Sequence, residues 1–202
     1  MADTTFRLGI ANQLNVPDLS DLKIRCADRE WLVHKLVLCT QSTYFDRAVK
    51  SGMKESHDGV IDLQEDDPDI VDHMLRWFYT GDYQSKDKDA LKPTHLSKPE
   101  IHVLLFELAD KYLLDAFKML VVGRFYSLLQ PCGNGAFVKA MTYVYKMDRT
   151  LSGPLRYAIL THVMDNKEAE FGGSGSHNFI RMMRNSSIDF AVDVAVKLAG
   201  YE

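Results

Sequence analysis

The sequence predicts an α+β fold: a small cluster of strands closed by a helical bundle and followed by an all-helical extension. Three observations predict it. Near the N-terminus, Leu22, Ile24 and Cys26 fall on one face of an extended run, with Lys23 and Arg25 on the other. Further on, Ile70, Val71, Met74, Leu75 and Phe78 recur at spacings of three and four, the period of a helix with one buried face. The run Pro131-Cys132-Gly133-Asn134-Gly135 is the sharpest punctuation in the chain, and only helical patterns follow it.

Taken in order, residues 1–17 form an N-terminal tail in which Leu8, Ile10, Ala11 and Leu14 allow either a short helix or a frayed terminus. The alternating run at Leu22 is followed by the polar turn Ala27-Asp28-Arg29-Glu30 and a second strand, Trp31 to Val33. A helical pattern starts at His34 and runs to Cys39. Ser42 then caps Thr43 to Val49, where Tyr44, Phe45, Ala48 and Val49 share a face. Gly59 to Leu63 is a strand. One of Asp66, Asp67 or Asp69 caps the next helix, Pro68 suits an early helical position and Gly81 ends the helix.

The polar stretch Gln84 to Pro99, with two prolines and mixed charge, predicts a solvated loop. From Ile101 the pattern is helical again, with Leu104, Leu105, Leu108, Tyr112 and Leu113 continued by Phe117, Leu120, Val121, Phe125 and Leu128. That is too long for one ordinary helix, which places a break near Leu113 to Asp115. Three further helices are expected: Ala136 to Met147, Leu155 to Phe171, and Ser187 to Leu198 with Ser187 as its cap. Gly172-Gly173-Ser174-Gly175-Ser176 has the composition of a flexible linker, either a natural loop or an engineered replacement for one.

These pieces meet a known family. The string SDLKIRC…WLVHKLVLCTQSTYFDRAV…MKES…GVIDLQEDDPDIVDHMLRWFYTGDY resembles the BTB/POZ domain. The matching positions are Ser20-Asp21-Leu22, His34-Lys35, Leu38, Ser42, Tyr44-Phe45, Asp62-Leu63, Asp67-Pro68, Phe78, Tyr79-Thr80-Gly81 and Ala109-Asp110-Lys111-Tyr112. The resemblance covers roughly Asp18 to Leu129, and the compact layout is similar to short stand-alone BTB proteins of fungal type. It implies a BTB/POZ domain at 18–129 and a helical extension at 130–202 that resembles the start of a BACK-like extension, with the linker at 172–176 inside it.

The resemblance also implies roles for particular residues. His34, with the lysine after it, is a signature of the fold and a structural residue. Asp21 and Lys35 match an acidic and a basic position that lie close together at the floor of a groove near the interface of dimeric BTB domains. A partly buried opposite-charge pair is costly to break, so Asp21→Asn or Lys35→Gln should harm folding or dimerisation. Met53 and Glu55 match the hydrophobic-any-acidic triplet with which cullin-binding BTB adaptors meet their scaffold, an apolar anchor beside a carboxylate. The partners implied are a cullin-3-type scaffold, a substrate protein that no MATH, Kelch or zinc-finger segment identifies, and a second copy of the chain, with a monomer as the alternative.

Composition narrows the field. The 202 residues carry 24 basic and 28 acidic side chains, a net charge of −4, which argues against an electrostatic grip on nucleic acid or an acidic membrane. Cys26, Cys39 and Cys132 are far apart and form no CxxC pair. Cys26 and Cys39 read as small buried hydrophobes. The start MADTTFRLGI lacks the layout of a signal peptide and no apolar run reaches about 18 residues, so the cytoplasm or nucleus is expected.

No motif of nucleophilic, phosphate-binding or dinucleotide chemistry is present. The seven histidines lack ligand spacing, and the pairs Asp69/His73 and Lys98/His102 are of a kind common on solvated faces. No metal, cofactor or catalysis is expected. The reading is a protein-interaction module, a BTB adaptor linking a substrate protein to ubiquitin transfer. The alternatives are a BTB oligomerisation or transcription-regulating module that takes peptides in its dimer groove without a cullin, and, remotely, a small-molecule enzyme.

Overall fold

Alternation becomes a hairpin at β1 (Leu22–Cys26) and β2 (Arg29–Val33), paired antiparallel with Leu22 opposite Val33 and Cys26 opposite Arg29. In this computed structural model the described residues are 9–51, 58–83, 98–129, 134–166 and 187–200. The hairpin loop is two residues, Ala27 and Asp28, shorter than the four-residue turn expected from the sequence. Arg29 and Glu30 are recruited into the ladder, where Glu30 accepts from Lys23 at 2.9 Å and Arg25 at 3.0 Å on the neighbouring strand. Those two cations hold its carboxyl below the usual carboxylate range. Ala27 takes the positive φ (50°) that such tight loops require.

β3 (Val60–Asp62) lies parallel to β1, with Ile24 beside Ile61, giving the strand order β2-β1-β3. The segment between is helical at α1 (Lys35–Cys39) and α2 (Thr43–Lys50). Ser42 caps α2 as expected: its Oγ accepts from the Phe45 N–H at 3.2 Å and donates to the Tyr112 carbonyl at 2.8 Å.

α3 (Pro68–Thr80) is capped by Asp67, whose carboxylate accepts from the N–H groups of Asp69 and Ile70. Asp66 and Asp69, the other candidates, point elsewhere: Asp69 pairs with Arg29 at 2.6 Å and Asp66 with Lys111 at 3.0 Å. The helix ends at Gly81, whose φ of 73° and N–H bond to the Trp77 carbonyl make the left-handed C-terminal turn that glycine adopts most easily.

α4 (Lys98–Lys111) and α5 (Asp115–Leu129) are separated where the break was expected. α4 starts earlier than predicted, so Lys98 and Pro99 belong to its first turn, while residues 84–97 lie outside the described residues. Then come α6 (Asn134–Lys146), α7 (Arg149–Asp165) and α8 (Ile188–Leu198). α7 begins six residues before the predicted Leu155 and carries Gly153-Pro154 inside it. Asp148 caps it, accepting from the Thr150 N–H at 2.8 Å, and buried Ser152 and Leu155 anchor the turns around the proline. Pro131 to Gly133 and the run 172–176 lie outside the described residues.

The chain divides into two compact units, Met1–Leu96 with Leu104–Lys118, and Ser97–Val103 with Met119–Glu202. The first has an aromatic core: Phe45 stacks on Tyr112 at 5.4 Å, and Trp77 and Tyr83 both meet Phe117. In the second, Phe137 packs against His162, and Tyr145 meets Phe190 edge-on at 5.3 Å. Among the described residues no helix is long and apolar enough to cross a membrane.

Candidate functional site

His34 stands at the junction of β2 and α1, in extended backbone at the N-cap position. Its backbone N–H donates to the Tyr79 hydroxyl at 2.9 Å, and its ring Nδ1 lies 2.8 Å from the same oxygen. Tyr79 therefore clamps the end of the hairpin to α3 through a single atom. The tyrosine is buried, and burial pushes its hydroxyl pKa up to about 12, opposed by the His34 N–H that favours the anion.

Asp21 is exposed, and its Oδ1 accepts from the backbone N–H of Lys35 at 2.8 Å. The carboxylate thus satisfies a donor of the first turn of α1, a position that also suits the positive end of the helix dipole. Among the described residues no ion pair joins it to the Lys35 ammonium. What this chain brings together is the Asp21 carboxylate and the Lys35 main chain. Beside them, Leu36 on α1 and Leu19 before β1 are 75% and 83% exposed, large apolar side chains that the described residues leave uncovered.

Met53 and Glu55 lie outside the described residues, and the chain leading to them is defined as far as Ser51. There α2 forms one wall of a cleft of about 310 Å³, lined by Tyr44, Arg47, Ala48, Ser51, Ile61 and Leu113. Tyr44 is fixed by edge-on contacts with Phe45 at 5.3 Å and Tyr112 at 4.8 Å. Opposite it, Leu113 in the turn between α4 and α5 has a φ of 55° and is half exposed. A non-glycine residue in the left-handed region costs about 1 kcal/mol or more, and such strain persists where the surroundings over-determine it. The neighbouring bonds do so: the Leu113 N–H reaches the Asp110 carbonyl and the Leu114 N–H the Ala109 carbonyl. The cleft is shallow, apolar on both sides and edged by the Arg47 cation and the Asp62 carboxylate, a surface suited to another protein's side chains.

Comparison with known proteins decides the family. The family model for the BTB/POZ domain matches residues 10–122, more than half of the chain. The chain belongs to the BTB/POZ family. Its fold is the BTB/POZ fold followed by further helices, and the BTB/POZ domain is a protein-interaction module. Among similar proteins are germ cell-less protein-like 2 of Mus musculus, 39% identical over 41% of this chain and 16% of that protein. Kelch-like protein 40 of Xenopus laevis is 29% identical over 43% of this chain and 14% of its own length. Rabankyrin-5 of Homo sapiens is 34% identical over 40% of this chain and 6% of its own length. The matches thus span less than a fifth of these relatives. Among solved structures, the BTB domain of zebrafish PATZ1 is 16% identical, with a TM-score of 0.44 over 59% of this chain and 87% of that one.

In this BTB/POZ chain two features of the site escaped the sequence reading. Asp66 takes both Lys111 Nζ at 3.0 Å and the Tyr112 hydroxyl, while the Cys26 thiol donates to the Asp66 carbonyl at 3.1 Å. That one residue ties β1 to the end of α4, which sets the turn presenting Leu113. Burial, with Asp66 close by, pushes the Cys26 thiol up to about 11, so it stays protonated and serves as a donor. The sequence signal for Leu113 was slight: an apolar residue in a predicted helix break.

Proposed function

We propose that the chain is a BTB adaptor whose cleft between α2, β3 and Leu113, together with Met53 and Glu55, binds a cullin-3-type scaffold and so brings a substrate protein to ubiquitin transfer. The observation that carries this reading is the cleft itself. It opens beside Ser51, directly before the segment that holds the apolar-any-acidic triplet. It offers apolar walls for an anchoring side chain and a strained, exposed Leu113 at the rim. The chain itself performs no chemistry in this role, needs no cofactor and works in the cytoplasm or nucleus. The substrate is a protein held elsewhere than in this cleft.

The test is calorimetric titration of the protein with the N-terminal domain of the source organism's cullin-3, alongside Met53→Ala, Glu55→Ala and Leu113→Ala. Micromolar or tighter binding is expected, weakened about tenfold or more by Met53→Ala and by Leu113→Ala, equivalent to about 1.4 kcal/mol or more each. Absence of binding by the folded wild-type chain would sink the adaptor reading. Binding insensitive to all three variants would keep the partner and discard the cleft.

A second reading is favoured by Leu19 and Leu36, two large exposed apolar side chains flanking the Asp21–Lys35 contact. They fit self-association of the BTB domain through α1, the arrangement in which a groove for peptides forms between copies. Light scattering coupled to size exclusion should then give a dimer mass that Leu36→Glu converts to a monomer. A monomeric wild type at tens of micromolar would rule it out.

A further inference from the structure

The second unit contains a groove that the adaptor role does not use. It runs between α7 and α8 and encloses about 520 Å³, a volume in the range of built binding sites. Its walls are apolar: Leu160 and the Tyr157 ring from α7, and Val196 from α8. Its polar lining sets Arg149, Arg156 and Lys197 against Asp193, with the Asp189 carboxylate at 4.0 Å from Arg156 beside it. In a chain of net charge −4, this is a local concentration of positive charge.

Asp193 is already engaged. It accepts from the Tyr145 hydroxyl at 3.0 Å and from Arg149 at 3.2 Å, and its Oδ2 lies 3.5 Å from Arg156 Nη1. Arg156 is 6% exposed, stacked over the Tyr145 ring at 4.3 Å, with its Nε donating to Ser152 Oγ at 2.9 Å. Its Nη1 is buried and, though within ion-pair reach of Asp193 and, at 4.0 Å, of Asp189, makes no hydrogen bond. A buried guanidinium nitrogen with spare donor capacity on a groove wall is a place for an incoming oxygen, preferably a charged one.

The apolar surface does not stop at the cavity. From Val196 it continues along α8 in steps of one turn to Val192 and Ile188, which are 50% and 80% exposed, with Leu198 beyond at the other end. A small anion would use the cations and leave this stripe bare, whereas an amphipathic protein segment would cover both. We propose that the α7–α8 groove binds an acidic, apolar peptide segment of a partner protein, its apolar side chains along Tyr157, Leu160 and Val196 and its carboxylates on Arg149, Arg156 and Lys197. This binding is independent of whether the chain meets a cullin.

Gly153 supplies a test. It lines the groove, and a Cβ built there would meet nothing within 4 Å. A large side chain at Gly153 therefore projects into the groove, while the helical backbone just before Pro154 costs a β-carbon some strain, which makes the folding controls below part of the test. The probe is a capped, fluorescein-labelled ten-residue peptide of alternating Asp/Glu and Leu/Phe, compared with the same peptide carrying Lys at the acidic positions. Anisotropy titration into the full chain should show the acidic peptide binding about tenfold or more tightly than its basic counterpart. Binding should weaken with added salt, as exposed charge contacts do. Gly153→Trp should abolish it, and the double variant Arg149→Glu/Lys197→Glu should weaken it about tenfold or more while both variants keep the wild-type far-ultraviolet spectrum and melting cooperativity. Equal affinity for the two peptides, no binding, or binding unchanged by Gly153→Trp would overturn the proposal. Concentration-dependent self-association lost in Gly153→Trp would also overturn it, by showing that a second copy occupies the groove.

Discussion

α3 and α8 are both apolar helices opened by a side-chain cap, Asp67 in one and Ser187 in the other, yet they spend their apolar residues differently. α3 buries Ile70, Val71, Met74, Leu75, Trp77, Phe78 and Tyr79, and its carboxylates Asp69 and Asp72 are satisfied by Arg29 and by Trp31 and Arg76. α8 buries Phe190 and Val194 and leaves Ile188, Val192 and Leu198 half or more exposed and Val196 42% exposed. Helical periodicity marks an apolar face in each case. It does not distinguish a face that the chain itself covers from one kept for another molecule. That distinction is made by what packs against the helix, and so by tertiary structure.

The comparison breaks most visibly in the core of α3. Phe78, 4% exposed and edge-on to Phe45 at 5.7 Å, should cost about 3–5 kcal/mol of stability on Phe78→Ala, measured by urea unfolding. A loss under about 1 kcal/mol would mean that α3 is not the centre of its unit. Next comes the charge buried beneath α8. Arg156→Ala removes one partner of a buried pair and a ring contact, and a loss of about 3 kcal/mol is expected. Arg156→Met, which keeps the stem over Tyr145, should recover part of it, and equal losses would place the whole effect in the lost charge contacts with Asp193 and Ser152.

An intermediate effect is set by pH. Tyr79 in α3 has its hydroxyl pKa raised to about 12, above its ordinary value of 10.0. The folded state therefore holds its proton more tightly than the unfolded chain does. The stabilisation is complete below pH 10.0 and is lost as the pH rises towards about 12. The melting temperature should fall over that window, and less steeply in Tyr79→Phe. A parallel fall in both proteins would assign the alkaline loss elsewhere, with Cys26, raised to about 11, the next group to test. The smallest effect is expected where the two helices differ most: Val192→Ser, on the bare face of α8, should stay within about 0.5 kcal/mol of wild type.

Much of the first unit was legible because its elements repeat short-range rules. The alternation at Leu22, Ile24 and Cys26, the cap at Ser42, the proline-started helix at Pro68 and its glycine end at Gly81 each need only a few adjacent residues. The departures arise where cross-strand pairing, capping and burial overrule local punctuation. Arg29 and Glu30 read as turn residues, but cross-strand cations draw Glu30 into β2. The helix was expected from Leu155, but the Asp148 cap and buried Ser152 and Leu155 start α7 at Arg149 and carry it through Gly153-Pro154. The candidate site was legible only as a resemblance at Asp21, His34, Lys35, Met53 and Glu55. Tyr79 as the partner of His34, Asp66 as the partner of Tyr112, and the α7–α8 groove each join residues tens of positions apart, and periodicity carries no information about such pairs.

The parallel seating of β3 against β1 has a kinetic consequence. The hairpin closes through two residues, whereas Ile61 reaches Ile24 only after the chain between them has been laid down as β2, α1 and α2. Loop-closure entropy is larger for the second pairing, so the hairpin can form early and the third strand locks in late. Under that order, Ile61→Val should speed unfolding and leave the refolding rate nearly unchanged, while Ile24→Val should slow refolding. Cleft-lining Ile61 would then be among the last residues placed, so that a nascent chain completes its interaction surface only when the rest of the domain is already in position.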